Sequence, residues 1–203
     1  GRTAILVGRV GIARRAATYP AGIVATAVLS GYSGRLNQEV RVKRGLSYGA
    51  GAQLIARREP GLFLASTLVD HTKVGEATGV VLDTLRGLAT TAPEPHELVT
   101  RKATVSGSFS RSVETLDGVA GVLGELALYD VPLSELRDYL AEIEAVDPAL
   151  VQRFAAATFD ELFVVLAGDA RVFSAEIAAA YADVTTIPFA DLDLSRPDAR
   201  AAG

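Results

Sequence analysis

Residues 29–48 read Leu-Ser-Gly-Tyr-Ser-Gly-Arg-Leu-Asn-Gln-Glu-Val-Arg-Val-Lys-Arg-Gly-Leu-Ser-Tyr, and they carry a succession of structural signals. Gly31 to Gly34 is turn chemistry. Arg35 to Arg44 has the length and composition of a helix, closing on Arg41, Lys43 and Arg44 and then Gly45. Cations in a last turn complement the helix dipole, and glycine takes the left-handed conformation that a helix stop requires. Leu46 and Tyr48 open a β-like run that reaches Ile55. The segment predicts turn, helix, sharp stop and strand.

Working outward, Ala4 to Val10 is short, apolar and β-rich, and Pro20 to Leu29 is Ala-rich with a proline suited to a first helical turn. On the other side, Leu46 to Ile55 and Gly61 to Val69 flank Arg-Arg-Glu-Pro-Gly, which predicts a hairpin. Val74, Ala77, Val81, Leu85 and Leu88 then recur at helical steps and mark one buried face, until Pro93 and Pro95 break the pattern. Further helices are expected near Glu97 to Ser110, Val113 to Tyr129, Leu133 to Ile143 and Pro148 to Thr158, the last with Asp147 as N-cap and Pro148 in its first turn. Leu162 to Ala167 is wholly apolar and reads as a central strand, and Val172 to Tyr181 as a final helix. Strict βα alternation is missing. The expectation is an α+β fold, a mostly antiparallel sheet covered by several helices, in a single domain over residues 1–190 with a polar, flexible tail at 191–203.

Of the 203 residues 49% are hydrophobic, enough for a sizeable core. Twenty basic against 24 acidic residues leave a net charge of -4, so the electrostatic footprint of a nucleic-acid binder is absent. No cysteine is present, which excludes disulfides, thiolate metal sites and a thiol nucleophile but leaves the compartment open. No apolar run reaches the ~18 to 20 residues of a membrane span, and the start lacks the layout of a signal peptide, so the expectation is a soluble chain. The first residue is not Met and a strand begins by Ala4, as in a piece of a longer chain.

A catalytic zinc site needs three convergent ligands, and the histidines are His71 and His96. His96-Glu97 begins like H-E-x-x-H, but Thr100 stands where the second ligand belongs, and H-x-x-E-H is absent. Gly31-Tyr32-Ser33-Gly34 lacks the spacing of a nucleophile elbow, and the glycines do not form a phosphate-binding loop. Gly118, Gly121 and Gly124 recur inside a helical pattern, and close packing of a neighbouring helix is the expected compensation. Arg41, Lys43 and Arg44 fit the bland role of solvated C-terminal cations. Tyr48, three residues past Gly45, complicates it, because a cation ending a helix and a phenol on the next strand can share a cleft and hydrogen-bond a developing oxyanion.

These residues, Leu29 to Tyr48 above all, resemble the C-terminal domain of the pitrilysin/insulinase family of zinc metallopeptidases, where a stretch of the form L-G-G-G-x-S-S-R-L-x-Q-E-L-R-E-K-R-G-L-A-Y joins a helix to a hairpin strand. The order of later elements agrees, through Pro95 to Leu98, Glu114-Thr115 and Val146-Asp147, so the resemblance covers roughly Thr3 to Thr186. It implies the fold of the processing-peptidase-like metallohydrolases, shared with LuxS, and the non-catalytic half of a zinc metalloendopeptidase of bacterial cytoplasm or periplasm. By resemblance, Arg41 and Tyr48, seven residues apart, would hold the substrate backbone or oxyanion, with Gly45 and Leu46 shaping the turn that presents them. No metal or cofactor would bind this chain. Zinc would sit in a homologous partner domain or subunit, and the other partner would be a peptide or unfolded polypeptide. The shortness of Gly31 to Gly34 argues against a substrate-gating role for that turn. Relatives that serve as core subunits of a respiratory complex supply the alternative, a catalytically silent scaffold.

Overall fold

Alternation in the first strand, β1 (Arg2–Val10), commits one face to a core: Thr3, Ile5 and Val7 are buried while Arg2 and Val10 are exposed. The computed structural model describes residues 1–197 and sets β1 in a four-stranded sheet of order β2-β3-β1-β4. β2 (Ser47–Ile55) and β3 (Leu62–Asp70) form the expected hairpin, β3 pairs with β1, and β1 pairs with β4 (Phe163–Ala167), each antiparallel. At the hairpin, a side chain on Gly61 would collide with the Ile55 carbonyl oxygen at 1.7 Å, so the turn demands glycine.

Helices cover the inner face of the sheet. α1 (Tyr19–Leu29), α3 (Val74–Thr90) and α7 (Pro148–Thr158) bring Val24, Val28, Leu85 and Phe154 against Ile5, Val7 and Phe63 in one cluster. Every α3 position marked by the sequence periodicity is buried. Each such aliphatic or aromatic side chain contributes about 1.5 to 3 kcal/mol when fully removed from water, and the Phe63 and Phe159 rings close the cluster with centroids 4.6 Å apart. Asp147 caps α7 as expected, accepting from the Leu150 amide at 2.7 Å. α4 (Pro95–Ser112), α5 (Leu116–Leu128), α6 (Glu135–Ala145) and α8 (Ala170–Ala180) complete the set, and the architecture is α+β with a wholly antiparallel sheet.

The structure corrects the sequence reading in several places. β4 is an edge strand with β1 as its partner, not a central one. Its apolar run suggested burial on both faces, yet Phe163 and Val165 stay exposed on the outer face beside Val10, Leu62 and Leu68. The neighbour expected against the glycine stripe of α5 is missing at two positions, where a Cβ on Gly121 or Gly124 would meet nothing within 4 Å. The helix opening at Arg35 also changes its winding: α2 (Arg35–Asn37) passes directly into a π turn, Gln38–Val42. No helix among the described residues is long and apolar enough to cross a membrane. Of the tail expected at 191–203, residues 198–203 lie outside the described residues.

Candidate functional site

The π turn decides how the basic cluster is presented. The Lys43 amide donates to the Gln38 carbonyl at 2.9 Å, five residues back, and the Leu46 amide reaches the Val40 carbonyl at 2.9 Å, six back. Gly45 makes the stop possible with φ +61°, and Leu46 drops into the core behind it. Extra residues in the turn put side chains five apart within reach. Glu39 therefore takes Lys43 at 2.5 Å and Arg44 at 2.5 Å together. These charge-assisted bonds, Lys43 first, hold the Glu39 carboxyl below the usual carboxylate range. Arg41 has no such partner. Its guanidinium makes no ion pair among the described residues and instead lies over the Tyr32 ring, 5.3 Å from the centroid.

Tyr32 is held there by its backbone. Gly31, at φ +83°, turns the chain, and buried Asn37 donates to the Tyr32 carbonyl at 2.7 Å. Buried Arg101 of α4 grips the next residue, donating to the Ser33 hydroxyl at 3.1 Å and the Ser33 carbonyl at 2.5 Å. Arg35 and Glu97 clamp the same two elements through paired bonds of 3.0 and 2.7 Å. The result is a rigid turn carrying a tyrosine ring that is 75% exposed.

Tyr48 is placed by a β-bulge. Ser47 pairs with Val69 and Ala50 with Thr67, so three steps on β2 match two on β3. Simple alternation would turn Tyr48 inward with Ala50 and Ala52, whose partners Thr67 and Ala65 are buried. The extra residue reverses the phase, and the ring emerges on the outer face, 79% exposed. Side chains fasten the bulge: the Thr67 and Ser47 hydroxyls both donate to the Gly49 carbonyl, at 2.9 and 2.8 Å. The Tyr48 hydroxyl makes no hydrogen bond among the described residues, but Arg2 lies over its ring at 5.1 Å. Since β3 separates β1 from β2, Arg2 has to reach across a whole strand to do so.

Arg41 and Tyr48 are thus both exposed on well-anchored backbone, and no hydrogen bond links one to the other. Each is stacked on a residue that spacing arguments passed over, Tyr32 and Arg2. The signal for Tyr32 was an aromatic residue inside a glycine turn, where small polar residues are the rule.

A family model described as the peptidase M16 inactive domain matches residues 2–105, which includes the turn, the π helix, the hairpin and α3. The chain belongs to this family. Among solved structures, the peptidase M16 inactive domain from Pseudomonas fluorescens is 26% identical with a TM-score of 0.77, over 82% of this chain and 41% of that one. This chain therefore spans about two fifths of that relative's length. The inactive peptidase domain of a candidate zinc protease from Bordetella parapertussis is 17% identical (TM-score 0.71; 82% of this chain, 92% of that one), and a chain of complex III from Candida albicans is 15% identical (TM-score 0.74; 87% and 44%). These last two establish likeness of fold. No curated protein matches the sequence.

For an M16 domain the fit of zinc can be tested directly, and the residues do not suit it. Among the described residues no three His, Cys, Asp or Glu side chains gather where they could share a metal ion. His71 Nδ1 is engaged 2.7 Å from the Thr3 hydroxyl, and His96 stands exposed in the first turn of α4. A cleft of about 860 Å³ lies elsewhere, between the loop after β1 and helices α6 and α7, lined by Val10, Arg14, Glu135 and Phe154. It opens at the Val10 end of β1, whereas Arg2 and Tyr48 meet at the opposite end, ~27 Å away along the strand. A shallower hollow of about 470 Å³ adjoins Tyr48, floored by Ala4, Leu6, Gly49, Gly51, Ser66 and Leu68.

Proposed function

We propose that this M16 domain is the non-catalytic, substrate-clamping half of a zinc metalloendopeptidase, and that a homologous domain or subunit carries the metal. The observation that supports this best is the charge distribution around the π turn. Lys43 and Arg44 share the Glu39 carboxylate, while the guanidinium of Arg41 stands exposed without one. In this reading Arg41 orients the backbone of a bound peptide, and the free Tyr48 hydroxyl donates to the oxygen that gains negative charge when the peptide bond is attacked. Gly45 and Leu46 present the pair. The uncovered apolar outer face of the sheet is in keeping with a second unit lying over this side of the molecule.

The assignment is tested in the assembled protease. Arg41→Ala or Tyr48→Phe should each lower turnover about 10²-fold, the scale for losing one oxyanion donor, and should leave assembly with the zinc-bearing partner intact. Undiminished activity in both variants would remove the assignment. Likeness of fold to complex III favours a second reading, a silent assembly subunit, in which the natural partner also lacks H-x-x-E-H and no peptidase activity accompanies the complex.

A further inference from the structure

We propose that Arg2 is a specificity-determining residue of this site and that the site selects peptides carrying an acidic side chain close to the bond being cut. The inference rests on the clamping role given to Arg41 and Tyr48 above. Its own basis is the inventory of charge around them. Arg2 is exposed, makes no hydrogen bond or ion pair among the described residues, and spends its reach across β3 to lie over the Tyr48 ring. Its cross-strand neighbour Asp70 could have neutralised it, but that carboxylate is turned to the Thr72 amide at 3.0 Å and the Thr72 hydroxyl at 2.9 Å. Asp169, which the antiparallel register of β1 and β4 brings to the Arg2 end of the sheet, is held by Arg171, and beside Arg41 the Glu39 carboxylate is shared by Lys43 and Arg44. A peptide drawn into contact with Tyr48 and Arg41 meets two uncompensated guanidiniums, Arg2 and Arg41, in a chain whose net charge is -4. Both are backed by an aromatic face, which restrains the side chain and leaves its N–H edge free for a carboxylate.

Arg2 differs from Arg41 in what its loss should do. Arg41 and Tyr48 touch the peptide backbone, so their removal affects every substrate, whereas Arg2 reads a side chain. In the assembled protease, matched peptides with Glu, Gln or Lys flanking the scissile bond should be cleaved in that order of kcat/KM at low salt. Arg2→Glu should shift the Glu-to-Lys ratio about tenfold toward Lys, because exposed charge pairs are worth up to about fivefold each and the substitution exchanges attraction for repulsion. Raising the salt should flatten the wild-type preference, and Arg2→Ala should lie between. Equal cleavage of the Glu and Lys peptides by the wild type, or an unchanged ratio in Arg2→Glu, would overturn the inference even where Arg41→Ala and Tyr48→Phe abolish cleavage of all three. If those two variants cut normally, the parent reading falls and this one falls with it.

Discussion

Glu39 sets Arg41 apart from the rest of the basic cluster, because its one carboxylate is shared by Lys43 and Arg44 and leaves Arg41 without an ion pair among the described residues. Its pKa is lowered in the folded chain, chiefly by the bond from Lys43 and then by that from Arg44. A carboxylate depressed in this way adds stability at pH values above its unfolded pKa and loses it as the pH falls through the folded one. Glu39→Gln should therefore be less stable than the wild type near neutrality, by under about 1 kcal/mol for so exposed a pair, and the gap should narrow as the pH falls through the depressed folded-state pKa of the carboxylate. Urea denaturation over a descending series from pH 7 into the acid range measures this, and a difference that does not narrow along the series would assign Glu39 a packing role instead. The cluster was legible in the sequence as cations at a helix end. Which of them was free was not, because the pairing depends on the π turn, and nothing in Gln-Glu-Val-Arg-Val distinguishes five-residue from four-residue winding.

At the scale of elements, periodicity exposed what hides a face and missed what breaks a phase. Helix α3 was readable from Val74 to Leu88 because one core contact repeats along it. Strand β2 was readable as a strand, yet period-two alternation points Tyr48 inward, and only the bulge held by Ser47 and Thr67 brings it out. The helix α5 shows the same limit from another side: its pattern marked it as helical, but among its own residues only Leu126 is buried, and Leu116 and Leu128 are exposed. Its glycines allow a sharp comparison. With open space around Gly121 and Gly124, alanine at either should stabilise the chain by up to about 1 kcal/mol, the helix propensity that glycine forfeits. At Gly118 a Cβ would lie 1.8 Å from the Ser112 carbonyl oxygen, so Gly118→Ala should destabilise. Thermal melts of the three variants of the chain without partners check the order. A loss of stability at Gly121 or Gly124 would mean that the glycine face is covered in the folded chain.

The whole molecule is tied together by a contact that no local pattern announces. Arg14, in Ile-Ala-Arg-Arg-Ala, is indistinguishable by composition from Arg15, yet Arg15 is exposed and Arg14 is 7% exposed. From the loop between β1 and α1 it bonds Glu125 of α5 at 3.2 Å and Glu135 of α6, and it lies over Tyr19 with 3.9 Å to the ring centroid. Burial alone would lower its pKa, but the bond to Glu135 and the neighbouring Tyr19 outweigh it and the net shift is upward. Partners more than a hundred residues away make this visible only in three dimensions. Removing the cation strands Glu135, whose side chain keeps 17% of its exposure, so Arg14→Met should cost about 2 to 4 kcal/mol, near the range for breaking a mostly buried pair. Adding Glu135→Gln to Arg14→Met should recover at least about 1 kcal/mol, since the stranded charge is then gone. Urea denaturation of the two single variants and the double variant gives the coupling. Hydrogen exchange gives its place: protection in α5 and α6 should fall in Arg14→Met while β1 and β3 keep theirs. A strictly additive cycle would mean that Arg14 is held by packing on Tyr19, and that α5 and α6 depend on other contacts.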